Sequence, residues 1–146
     1  MTNKSHEWVL PTSPVGMLQE DLWPNEWKIL VACLLHNLTT RKQVDKVYKH
    51  LFNEYPTPES MKKANEEELQ TLIRPLGMWR RRAKSLIRFS AEFLEKDWKN
   101  ANELYGCGKY ADDCYRIFCL GEWEDVVPND RSLTRYHQWL KEVHFA

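Results

Sequence analysis

The sequence lacks the features that mark several large classes of protein. Glycine and proline are scarce, at 5 and 7 of 146 residues, which excludes collagen-like and low-complexity chains. No apolar run approaches the roughly 18 residues that a membrane span requires. The 21 basic residues are balanced by 21 acidic ones, so the chain is not a polycation that coats nucleic acid. Any contact with nucleic acid must therefore come from a local patch.

The four cysteines form no metal-binding or disulfide pattern. Cys33, Cys107, Cys114 and Cys119 give no CxxC pair, no zinc spacing and no iron–sulfur run. The N-terminal sequence MTNKSHE is polar and lacks the apolar segment of a secretion signal. We therefore expect reduced thiols in an intracellular protein, with no metal and no iron–sulfur cluster. Residues 1–7 are interpreted as a disordered or tag-like segment.

What the chain does contain is typical of a helical globular domain. Hydrophobic residues make up 42% and aromatic residues 12%, including 7 tryptophans, which is enough for a substantial core. Apolar residues recur with helical periodicity, and no alternating strand pattern of useful length is present. We predict an all-α fold, a single compact domain over residues 8–146 with about eight to ten short helices.

Caps and periodicity predict individual helices. Residues 26–35 are apolar nearly all round and follow Asn25, which predicts a capped helix at the centre of the core. The apolar positions of residues 44–55 predict a single helix. A long amphipathic helix is expected over residues 79–94, and Gly121 is expected to end a later helix.

A glycine hairpin, LYGCGKY at residues 104–110, is the first candidate functional motif. Gly106 and Gly108 allow a tight turn with close backbone approach, and the helix that follows begins with free N–H groups. Such groups bind an anion such as phosphate, and Lys109 adds positive charge. A short glycine motif is a weak signal on its own, and an ordinary turn between helices is the alternative.

A basic segment strengthens the phosphate-binding interpretation. Between Arg74 and Arg88 the chain carries six positive charges and no acidic residue. A second glycine turn lies in the same segment, so we predict phosphate contacts there. The alternative is a solvated helix face. The predicted phosphate-binding residues of this segment are Gly77, Arg80, Arg81 and Lys84.

Several motifs in a fixed order carry a resemblance to a known family. Asp130 follows Gly108 by 22 residues, within the sequence VPND that opens another helix. This arrangement resembles the helix-hairpin-helix DNA glycosylase superfamily and, within it, the catalytic domain of the methyl-CpG-binding-domain thymine DNA glycosylase family. The likeness covers residues 8–143 and implies the helix-hairpin-helix glycosylase fold without an iron–sulfur cluster. Further segments that carry it are NLTT at 37–40, LGMWR at 76–80, YRIFC at 115–119 and YHQWL at 136–140.

The resemblance assigns catalysis to Asp130. Breaking an N-glycosidic bond builds positive charge on the sugar, and a nearby carboxylate stabilises that charge and can orient or deprotonate water. Asp130 also lies where a helix is expected to begin, so a helix cap is the alternative role. Asp112 and Asp113 are competing acids in the first turns of the helix after the hairpin, and we interpret them as structural.

The resemblance places Tyr110 and Gln19 in the pocket for an extruded base, with a core position as the alternative for Tyr110. Bifunctional members of the family carry a nucleophilic lysine at the position of Tyr110. Tyrosine cannot form the Schiff base that strand cleavage requires, so a monofunctional enzyme is expected. Lys109 is one residue early and is expected to face phosphate.

Two apolar residues are candidates to fill the gap that an extruded base leaves in the duplex. Leu38 stands where the related thymine glycosylases carry an arginine, and Met78 follows Gly77. The departure at Leu38 leaves open how strictly guanine is required in the opposite strand.

With the resemblance, these residues predict a monofunctional DNA glycosylase of base excision repair. It is expected to excise thymine and uracil opposite guanine, the products of deaminated 5-methylcytosine and cytosine, from double-stranded DNA with G·T or G·U mismatches. The alternatives are another damaged pyrimidine as substrate, or a DNA-binding module without catalysis.

No cofactor is expected, although the hairpin could bind a monovalent cation. We expect a monomer in the nucleus without membrane contact, and an isolated catalytic domain or a member without a methyl-CpG-binding module.

Overall fold

The computed structural model describes residues 8–145, and the segment predicted to be disordered or tag-like, residues 1–7, lies outside the described residues. Within residues 8–145 the chain forms nine α-helices and no strand, which confirms the all-α prediction. Two 3-10 turns (Arg74–Leu76 and Ala101–Glu103) and a π-helical turn (Tyr115–Leu120) connect them. The helices are α1 (Leu18–Leu22), α2 (Glu26–Leu35), α3 (Arg41–Asp45), α4 (Tyr48–Glu54), α5 (Pro58–Lys62), α6 (Glu66–Ile73), α7 (Trp79–Glu95), α8 (Lys109–Cys114) and α9 (Arg131–Phe145).

Helix α2 lies at the centre of the core. The side chain of Asn25 caps it by accepting a hydrogen bond from the Lys28 amide at 2.9 Å. Seven of the ten residues of α2 are buried, and the helix packs against α1, α7 and α8. A helix with neighbours on several sides requires an apolar surface nearly all round, so the prediction of a central helix is confirmed.

The segment predicted to form one helix over residues 44–55 is broken in the structure. Helices α3 and α4 are separated by a tight turn at Lys46 and Val47. The Val47 amide donates to the Val44 carbonyl, three residues back, at 3.0 Å, and this closes α3 before α4 begins. Val44 and Val47 are both buried, so the apolar periodicity runs through the break and hides it. The prediction of one helix was wrong.

The long helix α7 begins beside the turn at Gly77 and confirms the amphipathic prediction. It packs on α2, α5 and α6 through buried residues that include Leu86 and Phe89. Gly77 has φ 73°, a left-handed conformation that turns the chain from the preceding 3-10 turn into α7. Exposed basic side chains of this segment therefore lie on the protein surface in the first turns of α7.

The chain before α1 packs onto the C-terminal part of the fold. The Trp8 ring covers Gly121, where an added Cβ atom would lie 2.6 Å from the ring. Gly121 ends the π-helical turn with φ 69°, as predicted. The Tyr136 hydroxyl on α9 donates a hydrogen bond to the Pro11 carbonyl at 3.1 Å. The residues from Trp8 onward are thus part of the folded unit.

Two kinds of feature are absent from residues 8–145: a membrane-spanning helix and a cluster of metal-binding side chains. No described helix combines the length and the apolar character needed to cross a membrane. Within the same range, no group of three or more His, Cys, Asp or Glu side chains is placed to hold a metal ion. All four cysteines are free thiols, three of them buried.

Candidate active site

A cavity of about 790 Å³ opens between α1, the end of α2, the glycine hairpin and the start of α9. It brings together residues that lie more than a hundred positions apart in the sequence. The predicted site residues that line it are Gln19, Leu38, Gly106, Gly108, Lys109, Tyr110 and Asp130. The other predicted site residues do not line this cavity: Gly77, Met78, Arg80, Arg81 and Lys84.

Asp130 lies at the exposed rim of the cavity, at the start of α9. Its Oδ2 atom accepts a hydrogen bond from the Leu133 amide at 2.9 Å, so the side chain caps the helix. The residues that the structure describes offer no hydrogen-bond donor to its second carboxylate oxygen, Oδ1. The cap therefore fixes the carboxylate through one oxygen and leaves the other for chemistry, and the two roles considered for Asp130 are compatible.

Tyr110 and Gln19 form the inner wall of the cavity. The Gln19 side chain is buried, and its Nε2 donates to the Tyr110 hydroxyl at 2.9 Å. The same nitrogen lies 3.6 Å from the Cys33 sulfur. Burial raises the pKa of Tyr110, and the neighbouring thiols and Asp130 raise it further. The phenol therefore stays protonated and can donate a hydrogen bond into the cavity.

The ammonium of Lys109 is held on the side of α8. It forms an ion pair with Asp113 at 2.5 Å and donates to the Val127 carbonyl at 2.7 Å. These contacts connect α8 to the extended segment that leads to Asp130, and the contact of Lys109 with phosphate stays a prediction. Because Asp113 lies one helical turn later on the same face, the pairing follows from helix geometry. The structural role predicted for Asp113 fits this contact.

The two hairpin glycines differ in what they require. Gly106 has φ 80°, a conformation that favours glycine, and a Cβ atom there would lie 3.0 Å from the end of the Leu34 side chain, which would have to shift slightly. Gly108 has φ −112°, and nothing lies within 4 Å of the position its Cβ would occupy. The lack of a side chain at Gly108 therefore serves no internal contact and leaves the N-terminus of α8 open to an approaching group.

The two predicted wedge residues share an unusual backbone conformation. Leu38 and Met78 are the non-glycine residues with positive φ in residues 8–145, at 57° and 47°. Their side chains are 81% and 45% exposed, although both are apolar. They line a second, smaller cavity of about 130 Å³, so the fold brings the two predicted wedges together at one place.

The basic segment divides into exposed and buried arginines. Arg80, Arg81 and Lys84 are exposed on the first turns of α7, as expected for groups that contact phosphate. Arg82 is buried, and sequence reasoning did not separate it from its neighbours. Helical periodicity contains the missing signal, because Arg82 lies on the same face of α7 as the buried residues Leu86 and Phe89.

His36 is a second residue that the sequence analysis missed. It lines the large cavity, and its Nδ1 lies 2.8 Å from the Ala32 carbonyl oxygen. Burial lowers the pKa of His36, Arg41 lowers it further, and the Ala32 contact together with Asp130 raises it. With Nδ1 protonated on the backbone carbonyl, Nε2 is left as an acceptor. No pattern in the sequence distinguishes His36 from an ordinary residue at the end of a helix.

An all-helical fold, a glycine hairpin and a capped aspartate at the rim of a cavity together define the helix-hairpin-helix class of base excision enzymes. Comparison with known families agrees. The family model described as HhH-GPD superfamily base excision DNA repair protein matches residues 31–144. The chain belongs to this superfamily.

Two individual proteins show which members of the superfamily this chain is similar to. A methyl-CpG-binding domain protein 4-like protein of Arabidopsis thaliana is 42% identical over 92% of this chain and 30% of its own length. A thymine-DNA glycosylase of Aeropyrum pernix is 35% identical over 75% of this chain and 51% of its own length. The chain therefore spans about a third to a half of these relatives.

Solved structures support the fold. A thermostable thymine-DNA glycosylase superposes with a TM-score of 0.64 at 20% identity, covering 80% of this chain and 66% of that chain. An endonuclease III in a non-covalent complex with DNA superposes with a TM-score of 0.61 at 20% identity, covering 86% of this chain and 72% of the other. At these identities the likeness concerns the fold.

Proposed function

We propose that this chain is the catalytic part of a monofunctional DNA glycosylase that removes thymine and uracil opposite guanine. The observation that carries the proposal is the position of Asp130, capped through one oxygen, at the rim of the cavity that Tyr110 and Gln19 line. A capping carboxylate in a DNA-binding module without catalysis would have no reason to face such a cavity, because it repels DNA phosphates. The similarity to a thymine-DNA glycosylase of Aeropyrum pernix supports this choice of substrate.

The reaction follows from the charges involved. The bond between the sugar C1′ and the base nitrogen breaks, its electron pair leaves with the base, and the sugar becomes an oxocarbenium-like cation. The Asp130 carboxylate stabilises this cation and orients or deprotonates the water that attacks C1′. The departing base takes up a proton, and the product is an abasic site in an intact strand.

The target base has to leave the helical stack before this reaction, because its glycosidic bond is inaccessible inside the duplex. A mismatched thymine or uracil costs less to extrude than a paired base, which favours G·T and G·U sites. The protonated Tyr110 hydroxyl and the Gln19 amide are placed to contact the extruded base. Leu38 and Met78 are placed to occupy the space that it leaves.

The absence of lyase chemistry is part of the proposal. Tyr110 stands where the bifunctional relatives carry their nucleophilic lysine, and a phenol with a raised pKa is not a nucleophile for C1′. Lys109 is held by Asp113 and the Val127 carbonyl. The proposal also includes a nuclear monomer that binds double-stranded DNA.

The direct test is incubation with duplex oligonucleotides that contain T·G, U·G or an oxidised pyrimidine, followed by alkali cleavage. We expect alkali-dependent strand cleavage at T·G and U·G, and none with the Asp130→Asn variant. Cleavage at the oxidised pyrimidine alone would replace the substrate assignment. Binding to all three duplexes with no base release would indicate a module without catalysis.

A further inference from the structure

Arg82 lines the same small cavity as the two predicted wedge residues, although the phosphate-binding interpretation leaves it unassigned. It is 8% exposed, while its neighbours Arg80 and Arg81 are exposed. Burial of a guanidinium is costly unless its N–H groups are satisfied, so a buried arginine at a DNA-facing surface requires a reason. Its hydrogen bonds supply that reason.

The guanidinium bridges two separate loops. Its Nε donates to the Gly77 carbonyl at 2.9 Å, and its Nη2 donates to the Asn37 carbonyl at 2.7 Å. These two nitrogens form one edge of the planar fork, so their donor directions are fixed relative to each other. The distance between the two accepting carbonyls is therefore set by one rigid group.

Each accepting carbonyl belongs to the peptide unit that leads directly into a wedge residue. The Asn37 carbonyl precedes the amide of Leu38, and the Gly77 carbonyl precedes the amide of Met78. The φ angle of each wedge residue is a rotation relative to that peptide plane. By anchoring both planes, Arg82 opposes the relaxation of two backbone conformations that non-glycine residues rarely adopt.

We propose that Arg82 is a positioning residue that holds Leu38 and Met78 as a paired wedge for entry into the duplex. The inference rests on the proposed function. The apolar side chains of Leu38 and Met78, here called the prongs, contact DNA, whereas Arg82 acts only by positioning them. Leu38, Met78 and Arg82 all line the cavity of about 130 Å³, and we expect loss of the bridge between the two loops to change the separation of Leu38 and Met78.

The first test measures base excision under single-turnover conditions on a T·G duplex. We expect Arg82→Met to slow excision about tenfold, within the range of coupling energies measured between contacting residues. Arg82→Lys keeps the charge and a donor and should recover part of this loss. In a Leu38→Ala, Met78→Ala background, Arg82→Met should have less than about a twofold effect, since the prongs that it positions are gone.

Ser90→Ala provides the matched control. Ser90 lies on the same helix, is fully buried and accepts a hydrogen bond from Trp27 Nε1 at 3.0 Å, away from the wedge loops. Its effect should be the same in the presence and absence of the prongs. A loss from Arg82→Met that persists in full in the background without prongs would overturn the inference, because it would then reflect general destabilisation.

A second readout does not depend on catalysis. Hydrogen exchange of peptides 36–40 and 75–80 should accelerate in both loops in the Arg82→Met protein and in neither in the Ser90→Ala protein. Unchanged exchange in either loop would overturn the inference. If Arg82→Met does not fold, the same measurements on Arg82→Lys decide. A wild-type protein that releases no base refutes the proposed function, whereas full activity of the Arg82 variants refutes this inference alone.

Discussion

The Gln19 side-chain amide donates a hydrogen bond to the Tyr110 hydroxyl at 2.9 Å, across 91 positions of sequence. The bond ties α1 to α8 at the inner wall of the cavity. Since the Gln19 amide uses one donor here and the phenol stays protonated, Tyr110 can direct its own hydrogen into the cavity. The shape of the cavity thus depends on two segments that are distant in the sequence.

We predict that Tyr110→Phe changes the rate or the base preference and leaves the product type unchanged. The substitution removes the acceptor of a buried amide, which costs about 1–3 kcal/mol. The ratio of T·G to U·G excision rates and the melting temperature measure these effects. Tyr115→Phe is the matched control, because its hydroxyl bonds Glu26 outside the cavity. Equal changes in base preference in both variants would contradict the assignment.

Asp130→Asn should abolish excision while DNA binding is retained. Asparagine caps helices as well as aspartate does, so α9 remains intact and only the negative charge is lost. Removing electrostatic stabilisation of a transition state typically costs about 100-fold or more in rate. Single-turnover excision and DNA binding are measured together, with exposed Asp125→Asn as the control. Wild-type turnover in the Asp130 variant would refute its catalytic role.

DNA affinity should fall steeply as the salt concentration increases. It should also fall when Gly108 is replaced by a residue with a side chain. Each neutralised phosphate contributes a slope of about 0.9 log units of affinity per log unit of salt. Gly108 has ordinary φ and open space at its Cβ position, so Gly108→Val leaves the fold intact and obstructs the approach to α8. Binding to matched and mismatched duplexes should weaken alike. Salt-independent affinity would exclude a phosphate-driven interface.

Borohydride should trap no protein–DNA adduct on T·G or U·G substrates. Tyr110 cannot form a Schiff base, and the Lys109 amine is paired with Asp113 and bonded to Val127. A one-residue offset on a helix also turns a side chain by about 100°. Denaturing gels of wild-type and Lys109→Ala protein provide the measurement. A trapped band that disappears in the Lys109→Ala protein would make the enzyme a lyase.

Because of His36, the free energy of unfolding should decrease as the pH falls below about 6.5. Its pKa is lowered from 6.5 in the folded state, chiefly by burial, so the unfolded chain binds more protons as the pH falls. The stability present above pH 6.5 is therefore lost progressively as the pH decreases through that value toward the lowered folded pKa. Urea unfolding at pH 7.5 and 5.5 should show a larger loss for wild type than for His36→Leu. The exposed His50→Gln variant should behave as wild type.

The sequence predicts the central helix, the hairpin and the end of the π-helical turn because each depends on local chemistry. Asn25 caps α2 within one turn, and Gly121 adopts positive φ where the chain must reverse. The break at Val47 escapes prediction, because buried valines on both sides keep the helical period unbroken. The periodicity of apolar residues indicates which face of a helix is buried, but it does not show where one helix ends and the next begins.

The candidate site is predictable where a residue type is tied to a role and unpredictable where only tertiary contacts assign it. Asp130 and Tyr110 are predicted as site residues through the family resemblance, because each matches a position of its motif, and both line the cavity. Helical periodicity could indicate the burial of Arg82 but not its bond to the Asn37 carbonyl, 45 positions away. The bond from Lys109 to the Val127 carbonyl, 18 positions away, is equally hidden. Long-range hydrogen bonds of this kind leave no trace in a single sequence.

The packing of Trp8 on Gly121 and the bond from Tyr136 to the Pro11 carbonyl join the chain before α1 to the C-terminal part of the domain. The match to the family begins at residue 31, but a fragment that starts there would lose the cover over α9 and the Gln19 partner of Tyr110. The family match therefore begins after a segment that contacts both α8 and α9. Within that segment, residues 15–19 line the cavity as directly as the hairpin does.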